Sequence, residues 1–338
     1  MTIQIALDAM GGDRAPAAPI EGAVMALKNH PGAAFILVGL PDLIDAELTR
    51  IGADKNRFRI HPASQVVGMD EKPAVALRTK KDSSMRVGAN MIKAGEADAF
   101  VSSGNTGALM ATARYVLKTL VGVDRPAIAA ILPSITGQTL MLDVGANVDC
   151  TAEHLCQFAM MGGVYASAVL GIKKPRIGLL NIGEEEIKGN EVVKEAAEQL
   201  RQTGIKGFIG NVEATDIFTG GVDVVVCDGF VGNVSLKTTE GMARMLTHYL
   251  REAFNESIWT KLGYLAARPA MHSFRARVDP RKYNGAILLG LNGIVVKSHG
   301  SADAYAFSQA IGVAVGLAEN RVNEKIRHTA MTHLLPTE

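Results

Sequence analysis

Residues 222–237 read VDVVVCDGFVGNVSLK. An apolar, β-branched run (Val224, Val225, Val226) stops at Asp228-Gly229-Phe230-Val231-Gly232-Asn233, and a helical pattern starts there, carrying Ser235, Lys237 and Glu240. A short valine run of this kind suits a strand buried on both faces. The two glycines are expected to let the backbone turn sharply and approach a ligand with no Cβ in the way. A helix start adds unpaired N–H groups and partial positive charge. A strand, a Gly/Asn turn and a helix N-terminus together form an anion-binding unit.

The same grammar recurs in residues 3–13 (IQIALDAMGGD), 98–108 (DAFVSSGNTGA), 139–149 (TLMLDVGANVD), 176–186 (RIGLLNIGEEE) and 293–303 (GIVVKSHGSAD). FILVG (35–39) and FRIHPAS (58–64) add strands with plainer endings. Continuous Val/Ile/Leu runs alternating with helices predict an α/β fold, its mainly parallel sheet covered on both faces. No Pro/Ser/Gly linker or break in composition divides the chain, so one continuous unit is expected over residues 1–335. Loops that follow parallel strands emerge at the carboxyl edge of the sheet. All six polar loops are therefore expected to converge on one cleft.

The bulk numbers exclude more than they identify. The 338 residues are 48% apolar and 20% charged, with a formal net charge of +1 and 5% aromatics. There is no global field to attract nucleic acid and too few aromatic platforms to stack bases. The N-terminus, MTIQIALDAM, has no charged leader, and no apolar run is long enough to span a bilayer. Cys150, Cys156 and Cys227 sit inside apolar patterns, as expected for unpaired thiols in a reducing cytoplasm.

Particular loops carry the chemistry. SSGNTG (102–107) has the small residues, glycines and hydroxyls of an anion-holding nest, with Ser103, Gly104, Asn105 and Thr106 as its candidates. It is neither a P-loop nor a dinucleotide fingerprint. Asp8, Gly11 and Gly12 in the first loop, Asn147 in the third, and Asp228, Gly229 and Gly232 in the opening stretch extend the candidate binding set. In ALRTKKDSSM (76–85), Lys80 and Lys81 precede a good helix cap, forming either a phosphate-ligating cluster or a solvated basic turn. Glu184, Glu185 and Glu186 are adjacent rather than convergent, which argues for a solvated helix start and against a metal site. Lys188 beyond them is a compact cation suited to phosphate. Lys297, His299 and Gly300 leave the last strand. With no G-x-S-x-G elbow, His299 reads as a phosphate or substrate ligand rather than a hydrolase base. No His/Cys spacing suggests zinc, and Cys227 within its apolar run reads as inert core.

Apolar residues from Met245 to Leu265 recur every three or four positions, predicting one long amphipathic helix. Around residues 245–280 it would form a projecting tip bearing Leu250, Phe254, Ile258, Trp259, Leu262, Leu265 and Arg268. That tip is either a core or dimer helix, or a surface for membrane or an acyl carrier.

In order, LDAMGGD, KPAVALRTKKDSS, SSGNTGA, LDVGAN, LNIGEEEIKGNE, CDGFVGNVSLKTTEG and GLNGIVVKSHGSAD resemble the bacterial phosphate acyltransferase family of phospholipid synthesis. The resemblance implies transfer of a fatty acyl group from an acyl-carrier-protein thioester to inorganic phosphate, without a cofactor. It implies a three-layer α/β/α fold similar to that of isocitrate and isopropylmalate dehydrogenases and of phosphate acetyltransferases. It also implies a homodimer, cytoplasmic but peripherally attached to the membrane surface, handing its product to a membrane glycerol-3-phosphate acyltransferase. By motif position the family's key lysine and asparagine fall on Lys188 and Asn233. Two alternatives remain open: a nicotinamide-dependent β-decarboxylating dehydrogenase on the same fold, and a lipid or acyl-carrier binding protein with a vestigial cleft.

Overall fold

The computed structural model describes residues 2–333 of the chain, with the side chains of Arg275 and His333 outside that description. Its strands are β1 (Gln4–Asp8), β2 (Ala34–Gly39), β3 (Phe58–Pro62), β4 (Ala99–Ser102), β5 (Ala127–Ser134), β6 (Gly137–Leu142), β7 (Ile177–Leu180), β8 (Phe208–Val212), β9 (Val224–Val226), β10 (Ala286–Leu289) and β11 (Ile294–Lys297). The helices are α1 (Ala17–Asn29), α2 (Pro41–Arg50), α3 (Pro73–Thr79), α4 (Ser84–Ala94), α5 (Thr106–Leu117), α6 (Ala152–Ala168), α7 (Glu191–Gln202), α8 (Asp216–Thr219), α9 (Gly229–Asn255), α10 (Ile258–Val278), α11 (Ala304–Glu319) and α12 (Val322–His333).

All the strands form one sheet in the order β3-β2-β1-β4-β11-β10-β5-β6-β9-β7-β8. Alternate residues feed two apolar cores, one on each face. Leu7, Phe35, Val101, Leu142 and Val226 point to the first, and Ala6, Ile36, Phe100, Met141 and Val225 to the second. Helices cover both, so the fold is a three-layer α/β/α sandwich with a mainly parallel sheet.

The sheet changes sense at its middle. β10 runs antiparallel to both β11 and β5, and β5 is antiparallel to β6. The strands β6, β9, β7 and β8 are parallel to one another and opposed to β1, β2, β3, β4 and β11. This corrects the expectation of a single carboxyl edge. Loops after β1, β4 and β11 open at one rim, and those after β6, β7 and β9 at the opposite rim.

The second correction concerns the long helix. Its pattern is interrupted at Ser257, whose Oγ accepts from the Thr260 N–H at 3.1 Å while its own N–H donates to Thr260 Oγ1 at 3.0 Å. This reciprocal cap starts a new helix, so residues 245–265 belong to two helices, α9 and α10. Periodicity cannot reveal a corner when both sides of it keep the same apolar spacing.

Candidate active site

The loops of the first rim are locked together by Asp8. Its Oδ2 accepts from Ser102 Oγ at 2.6 Å, its Oδ1 from the Met10 N–H at 3.1 Å, and burial raises its carboxyl above the usual range. Ser103 Oγ donates to Gly11 O at 2.7 Å, the Asp13 N–H to Gly300 O at 2.9 Å, and the Ser298 N–H to Ser102 O at 2.9 Å. The backbones are nearly in contact. A Cβ on Gly12, at φ +94°, would meet Ser103 Oγ at 2.7 Å, and one on Gly11 would meet the Gly104 N at 2.7 Å. Asn105 caps α5 through the Ala108 N–H at 2.9 Å and donates its amide to Met69 O and Glu71 O. Thr106 at the start of α5 reaches the surface.

The second rim is organised by Asp143. Its buried carboxylate accepts from the N–H groups of Ile128, Gly145, Ala146 and Asn147 and from Asn147 Nδ2, all between 2.7 and 3.0 Å. Burial pushes this carboxyl up, and those donors oppose the rise. Asn147 spends its amide on Asp143 and on Pro126 O at 2.8 Å, a structural use of the residue.

The opening stretch behaves differently from the turn expected of it. Gly229 and Gly232 lie inside α9, and neither has positive φ. They are small because α9 presses on this loop: a Cβ on Gly232 would come within 1.8 Å of Asp143 O, and one on Gly229 within 2.6 Å of Asn147 O. The first amides of α9 are occupied too. The Gly229 N–H donates to Asn147 O at 2.7 Å and the Val231 N–H to Asp228 Oδ1 at 2.8 Å. The helix start is therefore a packing joint rather than an open anion cradle. Asn233, one turn on, donates Nδ2 to Val144 O at 3.1 Å.

Between the rims, on the face roofed by α9, lies a cleft of about 530 Å³. Ile128, Ala130 and Leu132 of β5 form its floor, and Leu236, Thr239 and Ala243 of α9 its roof. Val144 and Asn233 close one end; Lys297, His299, Gly300 and Thr106 stand at the other. The cleft thus brings members of both loop sets together, although they leave opposite edges.

Lys297 is its most unusual member. It is only 7% exposed, and its Nζ donates to the carbonyl oxygens of Ser103 and Ser298. Among the described residues no carboxylate lies within ion-pair distance of it. Burial pulls its ammonium down to about 8, partly offset by the more distant charges of Asp8 and Asp13. Other cations on the walls are neutralised: Lys237 and Arg244 pair with Glu240 at 2.8 and 3.3 Å, and Arg281 with Asp279 and Asp303. His299 is lowered by burial and by Lys237. Its Nδ1 accepts from the Ser301 N–H at 3.2 Å, placing a neutral ring's proton on Nε2. Asn284 fixes this loop, donating to Ser298 Oγ at 2.8 Å and accepting from the His299 N–H at 2.9 Å.

Other candidates lie elsewhere. Lys188 is exposed in the loop after β7, which closes on itself when Asn181 Nδ2 donates to Lys188 O at 3.1 Å, and it lines no part of the cleft. Glu184, Glu185 and Glu186 precede α7 rather than start it; Asn190 is its cap, and Glu186 pairs with Arg201 at 2.8 Å. Lys80 donates to Val66 O at 3.0 Å beside Glu71, and Lys81 faces solvent. Cys227 is buried with its thiol pushed well up, hence unreactive. At the tip, Leu250 and Phe254 line a separate groove of about 330 Å³ between α9 and α10. Ile258, Trp259, Leu262 and Leu265 are exposed, Trp259 by 78%, and Arg268 faces solvent near them. Sequence reading missed Asp143, Asn284 and the β5 floor. The Asn284-Gly285 pair ahead of an apolar run was the one signal pointing to such a turn.

This geometry belongs to an α/β sandwich with a cleft at the reversal of its sheet. The chain belongs to the fatty acid synthesis protein family, whose model matches residues 3–325. It is 64% identical over 332 residues to a protein named phosphate acyltransferase from Magnetococcus marinus, covering 97% of this chain and 95% of that one. It is 57% identical over 315 residues to a protein of the same name from Alkalilimnicola ehrlichii, with 93% and 92% covered. Among solved structures it is similar to a phosphotransacetylase from Streptococcus pyogenes, at TM-score 0.63 and 18% identity over 94% of both chains. A 4-hydroxythreonine-4-phosphate dehydrogenase from Klebsiella pneumoniae matches at TM-score 0.56 and 14% identity, covering 94% of this chain and all (100%) of the other. At these identities the structural likenesses establish the fold alone. Among the described residues no helix is long and apolar enough to cross a membrane.

Proposed function

We propose that this protein transfers a fatty acyl group from an acyl-carrier-protein thioester to inorganic phosphate, releasing the carrier thiol and an acyl phosphate. The observation that carries the reading is the buried Lys297, without a carboxylate partner among the described residues, set at the end of an apolar cleft in a chain so similar to proteins named phosphate acyltransferase. Phosphate is a sufficient oxygen nucleophile and a thioester is already activated, so positioning and charge neutralisation can supply the catalysis. A phosphate oxygen adds to the thioester carbonyl carbon, the C–S bond breaks, and the thiolate leaves to be protonated from solvent. Lys297, Thr106 and His299 would hold the phosphate. Asn233 would donate its second amide proton to the developing oxyanion. Lys188, which enters this reading by motif position alone, would neutralise the phosphate as it approaches the thioester carbonyl.

The reading also includes a homodimer and a membrane glycerol-3-phosphate acyltransferase that consumes the product. The exposed row Ile258, Trp259, Leu262 and Leu265 would rest on the membrane surface, tryptophan beside Lys261 suiting a lipid interface. Replacing Trp259 and Leu262 with Glu should then release the protein from anionic vesicles in sedimentation, and unchanged sedimentation removes the membrane contact. The activity is tested by free thiol released from acyl carrier with and without phosphate. Release that does not depend on phosphate defeats the reading, and full turnover in N233A or K188A removes the role given to that residue. Loss of an oxyanion donor should cost roughly 10²–10³ in turnover.

A further inference from the structure

The cleft floor contains a row of cross-strand neighbours with uneven sizes. Lys297 pairs with Ala286 across β11 and β10, and Ile287 pairs with Ala129 across β10 and β5. The antiparallel ladder therefore sets Ala286 beside Ala130, which in turn faces Met141 on β6. The row Lys297, Ala286, Ala130 and Met141 runs across the sheet on the cleft side. Neighbours above and below are large: Leu132, Ile128 and Leu288. Two alanines next to each other lower the floor here, with Ala286 the strand neighbour of Lys297. Ala243 of α9 is a further small residue in the lining of the same cleft.

We propose that Ala130 and Ala286 form the bore that receives the hydrocarbon of the acyl donor, and that their size sets which chain lengths enter. This rests on the acyl-transfer reading above. Adjacent strands are about 4.8 Å apart, so Ala130 lies about 10 Å from the Lys297 backbone. That separation lets an anion sit at Lys297 while an attached or neighbouring chain runs along β5. From Ile128 to Leu132 the floor offers about 13 Å of apolar surface. A merely structural reason for the alanines would be close packing of α9. Yet both residues line the cleft, and Ala286 is only half-buried.

The test compares A130L and A286L with the parent protein on butanoyl and hexadecanoyl carrier thioesters, in the presence of phosphate. The expected result is a fall of about tenfold or more in the long-to-short ratio of kcat/KM, since one or two methylenes of pocket volume are worth that much. L132A, which deepens the floor, should move the ratio the other way. An unchanged ratio in folded variants overturns the proposal, and so does an equal loss on both chain lengths. Binding of hexadecanoate by fluorescence displacement supplies a readout independent of turnover. Weakened hexadecanoate binding in A130L upholds the bore even if phosphate-dependent thiol release fails. Binding equal to the parent's in A130L, or none in the parent, rejects it.

Discussion

Gly232 and Asp143 are in such close contact that a methyl group on the glycine would lie 1.8 Å from the Asp143 carbonyl oxygen. The contact joins α9 to the loop after β6, and through that loop to the floor of the cleft, because Asp143 also holds the Ile128 N–H. G232A should therefore be destabilised by about 3 kcal/mol, the upper end of what overpacking costs. G241A, on the same helix with open space around it, should gain about 1 kcal/mol from helix propensity. Urea denaturation of the pair provides the check, and equal midpoints would contradict the joint.

Asp143 satisfies backbone donors that have no other partner in the loop 144–147. Its replacement by Ala should cost about 3 kcal/mol through the buried N–H groups left unpaired. Hydrogen exchange at Ala146 and Asn147 should accelerate well before global unfolding. Protection at parental levels would count against this account.

Lys297 gives a pH dependence whose sign follows from its surroundings. Its ammonium titrates at about 8 when folded and at its ordinary 10.5 when unfolded. Between these values the unfolded chain binds more protons, so stability should rise with pH across that window. Below it the buried charge costs on the order of 3 kcal/mol. K297M should therefore be more stable than the parent at neutral pH and lose that slope. Phosphate use should show the opposite trend, with kcat/KM for phosphate falling as pH passes about 8 in the parent, because the cation is lost. Stability that stays flat over this range in the parent would show that Lys297 is not so perturbed.

Ser257 should matter to the corner between α9 and α10 and to little else. S257A removes the acceptor for the Thr260 N–H and should cost about 1 kcal/mol. Exchange in residues 256–262 should speed up while the sheet is unaffected. Global loosening would mean that the hairpin is tied to the sandwich more tightly than its contacts indicate.

The strands that could be read from sequence were those with β-branched or long aliphatic runs, such as Val224, Val225 and Val226. β5 escaped because AIAAILPS (127–134) is rich in alanine and contains Pro133, and β10 because AILL is short and follows a helix. Missing these two strands concealed the change of direction, for β10 and β5 are the ones that reverse the sheet. Lys297, His299 and Thr106 line the cleft, and they stood out in the sequence because cations and hydroxyls at strand exits are conspicuous. Asn147 and Asp228 looked the same in sequence but are consumed by Asp143 and by the Val231 N–H. Whether a polar side chain serves a ligand or its own backbone depends on contacts between segments remote in sequence.

The reversal at β10 and β5 has a bearing on how such a protein can diverge. A singly oriented sheet crowds all its loops at one rim, where every insertion competes for the same space. Here the two ends of one groove are supplied by separate sets of loops rooted in separate blocks of sequence. Under the function proposed above, the loops of one block can lengthen or change charge to suit a new leaving group while the other block keeps its hold on the phosphate. A single framework is thereby open to a family of acceptors and donors, each altered at its own end.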